Sequence, residues 1–115
     1  IEPEFIGEER FETLLIGWGS MYGPIKEAIE ILNEGSNAKY AALVFGDVHP
    51  LPQKMLVQKA AQAKKIINVE QNSTGQLAQL IREQTGITCG ASVLKYDGRQ
   101  LAPEEIAQRV RGEAQ

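Results

Sequence analysis

Short runs of apolar residues alternate along this chain with longer stretches in which apolar side chains recur every three or four positions. Leu14-Leu15-Ile16 is a short buried-strand signal followed by a glycine turn. Ile25, Ala28, Ile29 and Leu32 fall at i, i+3, i+4 and i+7, one face of a helix, and Gly35 supplies its stop. Tyr40-Ala41-Ala42-Leu43-Val44-Phe45 predicts a second strand, closed by Gly46, with the unbroken apolar character that a parallel sheet covered on both faces requires. A second helix is expected from about Pro52 through Met55, Leu56, Lys59, Ala60 and Ala63, since proline is tolerated in a first helical turn. Lys65 to Glu70 reads as a third strand, and a third helix presents Leu77, Leu80 and Ile81 before Gly86 ends it. Ile87 to Tyr96 is expected to form a fourth strand, with Asp97-Gly98 as a turn. Pro103 at the first helical position, Glu104 and Glu105 in the first turn, Arg109 and Arg111 in the last and Gly112 beyond them frame a final helix whose charges complement its dipole.

Strand and helix alternation at this spacing predicts an α/β fold, a three-layer sandwich with a mostly parallel sheet, right-handed crossovers and helices on both faces. Residues 1–11 carry Glu2-Pro3-Glu4, Gly7 and Glu8-Glu9, a composition suited to an interdomain connector that is extended or partly disordered. Residues 12–115 are then one domain. The chain starts with Ile1 and not Met, so it is expected to be an excised or trimmed piece.

At 115 residues there is room for a single core, and 43% hydrophobic with 23% charged residues is near the globular average. No apolar run approaches the ~20 residues that span a bilayer, and no signal peptide is visible. A net charge of −3 without a basic cluster leaves no electrostatic footprint for nucleic acid. Cys89 is the only cysteine, so no internal disulfide can form and a reducing cytoplasm is the expected home. One thiol also cannot hold an iron-sulfur cluster, which usually takes four cysteine thiolates.

Three turns invite a chemical reading. Glu70-Gln71-Asn72-Ser73-Thr74-Gly75-Gln76 joins the third strand to the third helix, at the sheet edge where α/β proteins place crevices for ligands or partners. Ser73-Thr74-Gly75-Gln76 fits a capping box, which leaves Glu70 and Asn72 unneeded by the cap and more interesting for it. Gly17-Trp18-Gly19-Ser20-Met21-Tyr22-Gly23 approaches a dinucleotide fingerprint, but its third glycine comes one residue late and no acidic ribose ligand is well placed. It reads instead as a tight turn with Ser20 as N-cap, and Trp18 either faces a partner or packs beneath. Asp47-Val48-His49-Pro50 holds the sole histidine, where an acid-base role is outweighed by the lack of a neighbouring nucleophile and of further metal ligands. Cys89, beside Gly90 and Ala91, is expected to be a small buried hydrophobe.

The stretch from Ile66 to Arg82, Ile-Ile-Asn-Val-Glu-Gln-Asn-Ser-Thr-Gly-Gln-Leu-Ala-Gln-Leu-Ile-Arg, resembles the C-terminal part of the alpha subunit of 2-oxoacid:ferredoxin oxidoreductases, particularly the 2-oxoglutarate type. Leu14 to Gly23 and Pro50-Leu51-Pro52 extend the resemblance from about Glu12 to Ile106. The Glu-to-Thr-Gly turn is more loosely similar to that of transketolase-like thiamine enzymes, which implies a transketolase C-terminal-domain-like fold. The resemblance implies a non-catalytic C-terminal domain of a larger alpha subunit, inactive alone, in an enzyme that oxidatively decarboxylates a 2-oxoacid to acyl-coenzyme A. It implies thiamine diphosphate, Mg and an iron-sulfur cluster in the parent enzyme and none in this piece. Implied partners are the rest of the alpha subunit and the thiamine-binding beta subunit, with ferredoxin and coenzyme A for the full assembly. On this reading Glu70, Asn72 and Thr74 face a neighbouring domain, with Ser20, Asp47 and His49 on the same sheet edge, and their work is assembly and active-site access. The rival reading is a free-standing module that binds coenzyme A or a nucleotide through its glycine turns.

Overall fold

Strand residues of alternating parity serve two separate apolar layers, and this decides the architecture. A computed structural model of the chain describes residues 1–34, 39–46, 48, 50–72, 74–95 and 99–114. Five strands, β1 (Glu4–Gly7), β2 (Thr13–Trp18), β3 (Tyr40–Phe45), β4 (Lys65–Glu70) and β5 (Ala91–Leu94), form one sheet in the order β1-β3-β2-β4-β5. The helices are α1 (Tyr22–Leu32), α2 (Lys54–Gln62), α3 (Gln76–Thr85) and α4 (Pro103–Ala114). Leu15, Ala42, Val44, Ile67, Val69 and Val93 pack under α1 and α4, against Ile25, Ile29, Ile106 and Val110. Leu14, Ile16, Leu43 and Phe45 point the other way, onto Leu56 of α2 and Leu77 and Ile81 of α3. Period-two alternation in strands that are apolar throughout therefore yields two cores and three layers.

β2, β3, β4 and β5 are parallel, while β1 runs antiparallel on β3 with Glu4 opposite Val44 and Gly7 opposite Ala41. The N-terminal segment expected as an extended or partly disordered connector is thus extended as an edge strand. It is tied down beyond its ladder. Glu2 accepts a hydrogen bond from the Met55 amide at the start of α2 at 2.9 Å, and the Lys59 ammonium sits 4.2 Å over the Phe5 ring while pairing with Glu9 at 3.1 Å.

The expected boundaries shift in five places, the first in β2, which runs from Thr13 to Trp18 and takes Gly17 into the ladder opposite Val44 where a turn was expected after Ile16. The last strand is Ala91–Leu94 and not Ile87 to Tyr96: Gly90 donates its amide to the Ile66 carbonyl just before the ladder begins at Ala91 opposite Ile67, and Tyr96 lies outside the described residues. α2 begins at Lys54 after Pro52 has set the chain direction. α4 continues through Gly112 to Ala114, since an exposed helical glycine weakens a helix without ending it. A single 3-10 turn, Gly19–Met21, precedes α1, so Ser20 lies inside that turn and caps nothing; the N-cap of α1 is Met21. Gly86 ends α3 as expected, in the left-handed conformation at φ 79°. The stop at Gly35 and the Asp97-Gly98 turn lie outside the described residues. No described helix is long and apolar enough to cross a membrane.

Candidate functional site at the carboxyl edge of the sheet

The strand order contains a reversal. β2 is followed by β3 on one side, and β4 then joins β2 on the other side, so α1 and α3 leave neighbouring strand ends toward opposite faces. Between such strands the two loops part and leave a crevice outside the carboxyl ends, where open α/β sheets bind their ligands. Here that crevice is a hollow of ≈ 350 Å³ lined by Trp18, Gly19, Ser20, Met21, Gln71, Asn72 and Gln76. A second hollow of ≈ 240 Å³ adjoins it through Trp18 and Gln76, and runs along α3 over Val48, Leu80 and Glu83. Trp18 is half-buried between the two, and Tyr22, the first residue of α1, is 38% exposed beside the same turn.

The floor of the site is a hydrogen-bonded knot around Glu70, which is 0% exposed. One carboxylate oxygen, Oε1, accepts from the Leu77 amide at 2.8 Å and from Asn72 Nδ2 at 2.9 Å. The other, Oε2, accepts from the Ala78 amide at 3.1 Å and from Asn68 Nδ2 at 2.8 Å. Asn68 is also 0% exposed, and its Oδ1 accepts from the Ser92 hydroxyl at 2.6 Å. Asn72 turns its Oδ1 to the Thr74 and Gly75 amides at 3.0 and 2.6 Å, closing the turn as an Asx motif. Gln71 Oε1 accepts the Leu101 amide at 2.6 Å, which fastens this turn to the loop before α4.

This geometry corrects the capping-box reading. α3 starts at Gln76, its N-cap is Gly75 at φ 66°, and no side chain of the N-cap residue caps it. Glu70 does so from the end of the preceding strand, so it is the cap and not a group left over by it. Its side chain turns inward, where four donors replace the water that a carboxylate gives up on burial. Ser20 and Asn72 come together in the switch-point hollow. Thr74 is exposed on the opposite flank of the α3 start, in a groove of ≈ 280 Å³ shared with Arg82, Thr88, Cys89 and Ser92. Ser73, Asp47 and His49 lie outside the described residues.

Reading the chain locally missed Tyr22, Gln76, Gln79 and Glu83 as surface-forming residues. Gln76 carried a signal, but the capping pattern absorbed it. The Cys89 thiol is pushed up to about 11, first by burial and then by the negative charge of Glu70, so it stays protonated and unreactive at neutral pH. Among the described residues no group of His, Cys, Asp and Glu is arranged to hold a metal ion.

No protein-family model matches the chain. Subunit alpha of 2-oxoacid:ferredoxin oxidoreductase 2 from Aeropyrum pernix is 36% identical over 106 residues, 91% of this chain and 16% of that protein. The chain therefore spans about a sixth of the length of the curated relative. A chain of the Magnetococcus marinus 2-oxoglutarate:ferredoxin oxidoreductase, solved with 2-oxoglutarate, coenzyme A and succinyl-CoA bound, superposes with a TM-score of 0.89 at 32% identity, over 97% of this chain and 19% of that one. The alpha chain of a probable 2-oxoacid ferredoxin oxidoreductase from Thermoplasma acidophilum gives a TM-score of 0.65 at 32% identity, over 96% of this chain and 95% of that one. Sequence and fold agree over nearly the full extent of the chain, which belongs to the 2-oxoacid:ferredoxin oxidoreductase alpha-subunit family.

Proposed function

We propose that this chain is a non-catalytic part of a 2-oxoacid:ferredoxin oxidoreductase, and that the carboxyl edge of its sheet seats against the thiamine-binding part of that enzyme. In that position it serves assembly and shapes the way into the active site. The observation that carries this reading is the pair of hollows around Trp18, open to solvent and rimmed by Ser20, Gln71, Asn72, Gln76 and Gln79, with the charged Glu83 farther along α3. Half-exposed aromatic side chains among neutral hydrogen-bonding groups are what protein interfaces favour at their centre, where charged groups are depleted.

Among the described residues, neither an iron-sulfur cluster nor a diphosphate at the α3 N-terminus finds a fit. A cluster lacks its thiolates, and the α3 N-terminus, which could receive a diphosphate, is filled by Glu70. On this reading the groups that position the thiamine centre come from outside this fold, and this chain contributes a wall. The bound molecules of the Magnetococcus marinus enzyme support 2-oxoglutarate as the 2-oxoacid and coenzyme A as acyl acceptor.

The test is co-expression of this chain with the thiamine-binding and cluster-carrying polypeptides. A Trp18→Ala, Tyr22→Ala double variant is expected to lose co-purification and 2-oxoglutarate-dependent ferredoxin reduction together, and the chain alone to have no decarboxylase activity. Full association and turnover in the double variant would overturn the proposal.

A further inference from the structure

We propose that Glu70 is a positioning residue, an anion built into the chain that occupies the α3 N-terminus as a bound phosphate or carboxylate would, and so holds Asn72 and the start of α3 in the shape the partner meets. This rests on the assembly reading above and names the group that maintains its surface.

α3 brings no cap of its own. Its N-cap is a left-handed glycine, and the free amides of its second and third residues, Leu77 and Ala78, both point at the carboxylate. Those amides are where helix N-termini receive anions in other α/β proteins. Both remaining donors to the carboxylate are themselves braced: Asn68 by the Ser92 hydroxyl, and Asn72 by the Thr74 and Gly75 amides. Each carboxylate oxygen thus takes two donors. Nothing of Glu70 is left for solvent or a ligand.

Two consequences follow from chemistry. An amide cannot substitute for this carboxylate: in Glu70→Gln, whichever way the side-chain amide were turned, its NH2 would face two donors and leave them unpaired, although the volume is the same. Asn72 and the first turn of α3 are also held stiffly, because moving Asn72, Leu77 or Ala78 outward strips donors from a fully buried charge. Asn72 and the α3 start that carries Gln76 therefore stay in place before any partner arrives, while Gln71 is held separately by the Leu101 amide, and this lowers the ordering cost of association.

The experiment measures the affinity of this chain for the remaining polypeptides of the enzyme, with folding followed in parallel by circular dichroism. Glu70→Ala is expected to weaken association by about tenfold or more. Formate, which can place a carboxylate beneath α3, is expected to restore much of that loss at an ionic strength where chloride does not. Glu70→Gln should weaken association comparably and gain nothing from formate, since its amide fills the space. Wild-type affinity in either variant, or no response of folded Glu70→Ala to formate, would overturn the inference. If Glu70→Ala fails to fold even with formate, Glu70→Gln decides; if neither folds, Glu70 supports the domain as a unit and its local positioning role is wrong. Trp18→Ala separates the two ideas: weakened association there with none in the Glu70 variants leaves the assembly reading intact and removes this one, whereas no loss in any variant removes both.

Discussion

Gly17 and Gly75 are required for different physical reasons. A Cβ at Gly17 would collide with Ile25 Cδ1 of α1 and lie 3.3 Å from the Val69 carbonyl oxygen, so this glycine lets a helix lie close on the sheet. Gly17→Ala is expected to cost about 1–3 kcal/mol in urea unfolding, and Ile25→Val, which removes Cδ1, should return part of it in the double variant. Gly75 has room for a methyl group, its nearest neighbour being Asn68 Nδ2 at 3.5 Å, but its φ of 66° is left-handed. Gly75→Ala should therefore lose about 1–2 kcal/mol from backbone strain, and Gly75→Asn less, by the same measurement. Cys89 makes a third case. Its thiol moves from an ordinary 9.0 to about 11 in the fold, so between these values the folded state holds a proton that the unfolded chain has released. Stability should be unaffected by this group below pH 9.0 and fall as pH rises toward 11, and Cys89→Ala should remove that share of the alkaline loss when the two unfolding curves are compared.

α2 and α3 share a device that no local motif announces: each begins against a glutamate from a distant or preceding element, Glu2 at Met55 and Glu70 at Leu77 and Ala78. A capping box is legible because its partners are three residues apart. Glu70 and Leu77 are separated by a turn, and Glu2 and Met55 by three strands and a helix, so neither cap could be read from spacing. Tyr40–Phe45 and Lys65–Glu70 were legible with their observed ends, and β2 in its centre at Leu14 to Ile16, because unbroken apolar runs covered on both faces leave little choice of register. β1 was not. Glu4–Gly7 is only partly covered, and its place depends on pairing with β3 and on Phe5 packing near Phe11 with ring centroids 5.9 Å apart. Phe5→Ala is expected to cost about 1–2 kcal/mol through lost burial and the lost Lys59 contact, read as a lower thermal midpoint.

Sheet order was the least legible property, since periodicity says nothing about which edge of β2 receives β4. β1 covers the outer edge of β3, and the free edge of β2 is what remains, so the reversal that opens the Trp18 hollow follows from the same N-terminal segment. The site residues Ser20 and Asn72 were named from loops at strand ends, whereas their meeting in one hollow needed this topology. Trp18 is the sole tryptophan, and its emission should shift to shorter wavelength and lose iodide quenching when the chain joins its partners. Unchanged emission on binding would place the contact elsewhere. The antiparallel course of β1 also has a practical side. It carries Glu4 to the level of Val44, at the end of the sheet where Trp18 lies, whereas the last turn of α4 finishes at the other end. A dye, bead or affinity handle fused ahead of Ile1 would stand beside the proposed mating surface and is expected to obstruct it, while one attached after α4 is expected to leave it clear.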